Sequence, residues 1–233
     1  MTDDLVLAII PARGGSRDIP SKNIVHLGGR PLIDWTIAAA IESTTVDRVV
    51  VSTDDDAIAK VAEQCGAEVP FMRPAHLASD DTPGVAPILD VAHRINEAGI
   101  IVTLQPTSPF RTAEDIDSAV RMVRDEGGND FCVSVVNVKH HPNWSFRMEN
   151  DGQLRRYEAG PLITRRQDLP TVFALNGAVY VARREALLEQ KTLVGNRTVG
   201  SPMPAERSID IDTPADLQLA EALLTIRPEV SAE

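Results

Sequence analysis

Aromatic residues are scarce in this chain, five Phe, two Tyr and two Trp among 233 residues, so aliphatic side chains have to build the core. Basic residues do not dominate either: 23 Lys and Arg against 34 Asp and Glu leave a formal net charge of −11. That balance argues against general nucleic-acid binding, which wants a basic face. Cysteine is limited to Cys65 and Cys132, each inside an expected core element, and the pair reads as buried free thiols in a reducing compartment. No apolar run reaches the roughly 18 residues of a membrane span, and the opening Met-Thr-Asp-Asp lacks the basic and apolar regions of a secretion signal. The expectation is a soluble, cytoplasmic protein. Internal repeats, low-complexity tracts, a Walker A loop and a G-x-G-x-x-G fingerprint are all missing. His140-His141 has no carboxylate beside it, and no Ser-His-Asp arrangement can be argued.

What is present is concentrated near the start. The apolar run Leu5–Ile10 ends in Pro11-Ala12-Arg13-Gly14-Gly15-Ser16-Arg17-Asp18-Ile19-Pro20-Ser21-Lys22-Asn23. Gly14 and Gly15 let backbone N–H groups approach phosphate oxygens, and Arg13, Arg17 and Lys22 supply cations. From Arg13 to Arg30 there are four basic residues and one acid, Asp18. A positive patch in a negative chain suits a small polyanion, with or without a metal ion. By composition alone the loop also suits a solvated turn. A first strand would deliver it to the carboxyl edge of an α/β sheet, the usual ligand edge.

Strand and helix patterns alternate along the chain. Leu5–Ile10 reads as a strand, and Pro31 opens a helix to Ser43 with Ile33, Ile37 and Ile41 on one face. Arg48–Ser52 is a second strand, followed by a helix from Asp55 to Cys65 that stops at Gly66. Ala67–Phe71 reads as a third strand, and Met72–Gly84 as a long, proline-punctuated loop of functional type. A helix over Pro83–Ala98 and a strand over Ile100–Gln105 come next. Thr112 caps a helix carrying Glu114 and Asp115 in its first turn and closed by Gly127-Gly128, before a strand at Phe131–Val138. The alternation predicts an α/β fold with a doubly wound, mainly parallel sheet. From Lys139 to Leu169 the pattern breaks, and this excursion is expected to contact a second subunit. Strand Asn176–Ala182, helix Arg184–Glu189 and strand Ser208–Asp212 follow, then a final helix opened by Thr213-Pro214-Ala215-Asp216 and a frayed tail from Ile226.

Six blocks stand out in order. They are Ile10-Pro11-Ala12-Arg13-Gly14-Gly15-Ser16 with Lys22-Asn23, Arg73-Pro74 with Leu77-Ala78-Ser79-Asp80-Asp81-Thr82-Pro83, and Leu104-Gln105-Pro106-Thr107-Ser108-Pro109-Phe110-Arg111. The others are Arg166-Gln167-Asp168-Leu169-Pro170, Asn176-Gly177-Ala178-Val179-Tyr180 and Ile209-Asp210-Ile211-Asp212-Thr213. With these blocks the chain resembles the acylneuraminate cytidylyltransferases, the CMP-sialic acid synthetase family, which includes enzymes for legionaminic and pseudaminic acids. The likeness runs over nearly the whole chain. Arg17 stands where many members carry lysine, and Ala174 where some carry arginine.

The resemblance implies a Rossmann-like nucleotidyltransferase fold over residues 1–233, with 139–169 as a dimerisation excursion and a homodimer as the assembly. It implies transfer of CMP from CTP to the anomeric hydroxyl of a nonulosonic acid, with Mg²⁺ and release of pyrophosphate. The nucleotide would be held by Ala12, Arg13, Gly14, Gly15, Ser16, Arg17, Lys22, Asn23, Arg73 and Asp80. Gln105, Arg166, Asn176 and Tyr180 would meet the sugar. Asp210 and Asp212 are the metal candidates, because alternation along a strand puts both carboxylates on one face beside an outward-pointing Ile211. Asp212, Lys22 and Arg13 lie nearest the chemistry. Read alone, the two acids also suit a strand end before a helix cap, Gln105 a turn, Arg166 a solvated side chain and Tyr180 core packing. Two rivals remain open at this point: a nucleotidyltransferase for 3-deoxy-manno-octulosonate or a sugar phosphate, and a non-catalytic nucleotide-sugar-binding protein.

Overall fold

The computed structural model describes residues 5–124 and 128–226. Strand β1 (Val6–Pro11) is buried on both faces, as a continuous apolar run requires. Val6, Ala8 and Ile10 point into one core, while Leu7 and Ile9 point into the other. After the glycine-arginine loop, β2 (His26–Leu27) and β3 (Arg30–Pro31) form a small antiparallel ladder. Helix α1 (Leu32–Glu42) follows, then β4 (Arg48–Ser52), α2 (Asp56–Gln64), α3 (Ala86–Arg94), β5 (Ile100–Leu104), α4 (Ala113–Arg124) and β6 (Phe131–Asn137). The chain then leaves the sheet for a hairpin of β7 (Phe146–Met148) and β8 (Leu154–Arg156). It returns through β9 (Phe173–Arg183), α5 (Arg184–Gln190), β10 (Thr198–Pro202) and α6 (Pro214–Ile226).

Six strands form one sheet in the order β10-β6-β9-β5-β1-β4. All neighbours run parallel except β9, which is antiparallel to both β5 and β6. The expected mainly parallel, doubly wound sheet is therefore the fold. Helices α1, α2 and α4 cover one face, and α3 and α5 the other. A third cluster, including Leu27, Trp35, Phe110, Ile211 and Leu224, lies beneath α6.

Helix starts follow local chemistry. Asp55 caps α2 by accepting from the N–H groups of Ala57 at 2.8 Å and Ile58 at 3.0 Å. Thr112 and Asp115 bond reciprocally at the start of α4. Cys65 and Cys132 are free thiols, as expected, and burial pushes them up to about 11 and about 12. Among the described residues no helix is long and apolar enough to cross a membrane.

Several boundaries need correction. Pro31 stands just before α1 rather than inside it, and Ile41 is 52% exposed rather than on the buried face with Ile33 and Ile37. Ala67–Phe71 is no strand; it contributes a single bridge, Val50 to Glu68. The helix expected over Pro83–Ala98 is regular only over Ala86–Arg94. Ser208–Asp212 pairs with no strand among the described residues, and Ile211 points inward, fully buried in the third cluster. Edge strand β10 was not expected, since Gly200 and Pro202 obscure its alternation. Gly127 and the tail 227–233 lie outside the described residues.

Candidate active site

The carboxyl ends of β1, β4 and β5 open into a cleft of about 580 Å³, lined by the glycine-arginine loop, Arg73, the 77–84 loop, Gln105–Thr107 and Asp212. The loop is held from below. Ala12 is fully buried, and its N–H is spent on the Ser52 carbonyl at 2.9 Å, so it supports the loop rather than offering a donor. Gly14 donates to Asp54 Oδ1 at 3.0 Å, and a β-carbon there would meet the Asp55 carboxylate at 2.7 Å, so only glycine fits. Gly15 faces open space. Asn23, nearly buried, donates to the Arg13 carbonyl at 2.9 Å and ties the two ends of the loop together.

Each loop cation meets an acid. Arg13 Nη1 lies 2.6 Å from Asp80 Oδ1, and Arg17 Nε donates to Asp80 Oδ2 at 2.9 Å. The two guanidiniums, Arg17 first, hold the Asp80 carboxyl below the usual carboxylate range. Lys22 Nζ reaches Asp212 Oδ1 at 2.9 Å across 190 positions of sequence. Arg73 is buried behind the loop, bonding Ser52 Oγ at 3.1 Å and the Ser52 carbonyl at 2.5 Å; burial pushes its guanidinium down.

The late acids ride on a clamped strap. Arg207 donates two hydrogen bonds to buried Asp115 at 2.9 and 2.8 Å, Ser208 Oγ accepts from Asn176 Nδ2 at 2.9 Å, and Ile211 N–H donates to the Thr107 carbonyl at 2.7 Å. Beyond it, Asp216 accepts from the N–H groups of Thr213 at 2.8 Å and Asp212 at 3.2 Å, capping α6. Burial raises the Asp210 carboxyl, the Thr107 hydroxyl opposes that, and the neighbouring Asp212 charge adds to it; of the two acids, Asp212 lines the cleft.

The sugar-side candidates divide. Gln105 lines the cleft. Tyr180 is partly buried, its phenol pushed up first by burial and then by the Asp210 charge. Asn176 is buried and its amide is committed: Oδ1 accepts from Ser134 Oγ at 2.5 Å, and Nδ2 holds Ser208. Arg166 is exposed on the excursion, bonded to the Val138 carbonyl at 3.4 Å, and does not line the cleft of its own chain. His141 is a loop residue, its Nδ1 accepting from Asn143 N–H at 3.0 Å. Sequence reading missed Asp54, Ser134, Arg111 and the Asp115–Arg207 pair. Arg111 carried a signal, as the last residue of the third block, and Asp115 one as a first-turn acid of its helix; Asp54, Ser134 and Arg207 are single polar residues that carried none.

The donor set fits a magnesium ion. Asp210 and Asp212 carry like charge, and the Asp212 charge adds to the burial that raises Asp210. Among the described residues no group of three acidic, His or Cys side chains forms a cage by itself. Mg²⁺ needs only one or two carboxylates when phosphate oxygens complete its shell. A second cavity, of about 500 Å³, lies between α1 and α6 against Trp35, Phe110 and Leu224, with Arg111 and Arg207 in its wall.

The cytidylyltransferase family model matches residues 7–230. The CMP-N,N'-diacetyllegionaminic acid synthase of Legionella pneumophila is 35% identical, covering 96% of this chain and 98% of that one. N-acylneuraminate cytidylyltransferase A of Danio rerio is 36% identical over 93% of this chain and 50% of its own length. Among solved structures, a CMP:2-keto-3-deoxy-manno-octonic acid synthetase complexed with CTP superposes with a TM-score of 0.72 at 21% identity, covering 96% and 99% of the two chains.

Proposed function

The chain belongs to the cytidylyltransferase family, and we propose that it transfers CMP from CTP to the anomeric hydroxyl of a nonulosonic acid of the N-acetylneuraminic or legionaminic type. The hydroxyl oxygen bonds to the α-phosphorus, the bond to the β-phosphate breaks, and pyrophosphate leaves. Catalysis of this kind rests on positioning and on offsetting charge. The observation that carries the reading is the 2.9 Å contact of Lys22 with Asp212, which brings the early cations and the late acids into one cleft.

The glycine loop and Asn23 face the triphosphate, and Arg13, Arg17 and Lys22 offset the charge on the departing pyrophosphate. Asp80 has to release the two arginines as phosphate arrives. Asp210 and Asp212 would hold Mg²⁺, which supplies polarisation of the α-phosphoryl group. Gln105 can both donate to and accept from a polyol. Arg166 suits a sugar carboxylate, but it sits on the excursion, so that role requires a second copy of the chain. The excursion exposes Met148 at 75%, Leu154 at 59% and Tyr157 at 63%, apolar surface that supports a homodimer. The reaction belongs in the cytoplasm, where CTP is made.

The test is pyrophosphate release with CTP, Mg²⁺ and a panel of nonulosonic acids. Release that depends on CTP and on one of these sugars is expected. Equal release with UTP and a hexose 1-phosphate would favour another sugar nucleotidyltransferase, and none with any acceptor would favour a binding protein. A monomer mass at micromolar concentration would contradict the dimer.

A further inference from the structure

Arg111 takes no part in the chemistry proposed above, yet it is one of the most costly residues in the molecule to bury. It is 3% exposed, and among the described residues no carboxylate forms an ion pair with it. Its donors go to neutral acceptors: Nε to the Ala178 carbonyl at 2.8 Å, Nη1 to Thr36 Oγ1 at 2.6 Å, and Nη2 to the Gln105 carbonyl. Burial pulls the guanidinium down to about 9, with Asp115 and Asp210 opposing. A buried charge without a paired acid is destabilising unless it brings something else.

Its place in the sheet shows what it brings. The β5–β9 ladder ends with Leu104 opposite Val179. The next two carbonyls, Gln105 and Ala178, turn to the guanidinium instead. At the same point β9 bulges against β6: Val133 faces Tyr180, but Val135 faces Leu175. Bulges next to active sites re-aim side chains. Within the bulge Gly177 has φ +76, and three oxygens surround the place a β-carbon would fill: Gln105 Oε1 at 3.2 Å, Asp210 Oδ2 at 3.7 Å and Ser108 Oγ at 3.7 Å. The Ser108 hydroxyl is buried with no hydrogen-bond partner among the described residues.

We propose that Arg111 is a positioning residue for the acceptor sugar, its planar guanidinium locking the end of β5 to the bulge of β9 so that Gln105, Ser108 and Gly177 frame the sugar side of the cleft. The inference rests on the activity proposed above. Lysine keeps the charge but cannot span the same acceptors in one plane.

The test compares Arg111→Lys and Thr36→Val with wild type. Thr36→Val removes one acceptor and leaves the charge in place. In Arg111→Lys the KM for the acceptor sugar is expected to rise about tenfold or more, with CTP affinity within about threefold and kcat falling less than KM rises. In Thr36→Val a rise of about threefold in the same KM is expected, in keeping with the loss of one buried hydrogen bond. Equal weakening of CTP and acceptor would reduce Arg111 to a structural residue, and an unchanged acceptor KM would remove its role. If Arg111→Lys fails to fold, Thr36→Val decides alone. If wild type turns over no acceptor, the activity is rejected; Arg111 is then judged by amide exchange over residues 174–180, expected to quicken in Arg111→Lys at unchanged CTP affinity. Unchanged exchange would overturn the assignment.

Discussion

The two sides of the cleft are built differently. The wall proposed for the nucleotide comes from the turns after β1 and β4, where parallel strands end and glycine, aspartate and arginine follow directly in sequence. The wall proposed for the sugar comes from a bulge in the antiparallel strand β9 and a strap outside the sheet, tied by Asn176, Arg207 and Arg111. The first side uses backbone donors and loop cations, which any triphosphate can meet. The second uses buried polar clamps that hold a shape. Under the proposed function, one wall would neutralise charge and the other would choose the acceptor.

The change expected to break both walls at once is Asp212→Asn. It removes a carboxylate that contacts Lys22 and, in the proposed reaction, would hold the magnesium ion, so kcat is expected to fall about a hundredfold or more, with the thermal midpoint unchanged because Asp212 is exposed. Steady-state rates and a melting curve check this; near-normal turnover would reject the role.

The comparison sharpens with a pair of variants read side by side. Lys22→Ala is expected to raise the KM for CTP about tenfold or more while leaving the sugar KM near wild type, and Gln105→Ala to do the reverse, since a lost charge-assisted bond costs more than a neutral one. Substrate titrations of both variants would show either the crossing pattern or parallel losses, and parallel losses would mean that the walls are not separate.

A smaller effect, on stability alone, comes from Asp117, far from both walls. Burial raises this carboxyl, but hydrogen bonds from Ser43, Thr44 and Thr45 outweigh that and hold it down to about 2. A depressed folded value means the stability is fully present above the unfolded value near 4 and is lost as pH falls through about 2. Asp117→Asn is expected to cost about 2 kcal/mol at neutral pH and to flatten the acid limb of a denaturation profile between about pH 4 and pH 2. Activity with saturating substrates is expected to stay near wild type.

Legibility follows the same division. The first half of the sheet could be read because β1, β4 and β5 are buried runs and their helices carry caps such as Asp55 and Thr112. The second half hid its organisation. Strand β10 holds Gly200 and Pro202 at an edge, and the Ile209–Asp212 alternation looks like a strand although its ladder partners are replaced by a buried Ile211 and the Thr107 carbonyl. Of the site, the contact between Lys22 and Asp212 could be expected from motif order, since both end blocks carry ligand-type residues. The commitments of Asn176 to Ser134 and of Arg111 to three neutral acceptors could not, because those partners come from distant elements with no mark of their own.

The central claim is that the early loop and the late acids enclose the same bound nucleotide. Calorimetric titration of CTP with Mg²⁺ into wild type, Lys22→Ala, Asp212→Asn and the double variant tests it as a cycle. The account predicts that the losses in CTP affinity fail to add, with a coupling of about 1 kcal/mol or more. Losses that add to within about 0.3 kcal/mol would mean that the two segments act at separate places, contradicting the claim.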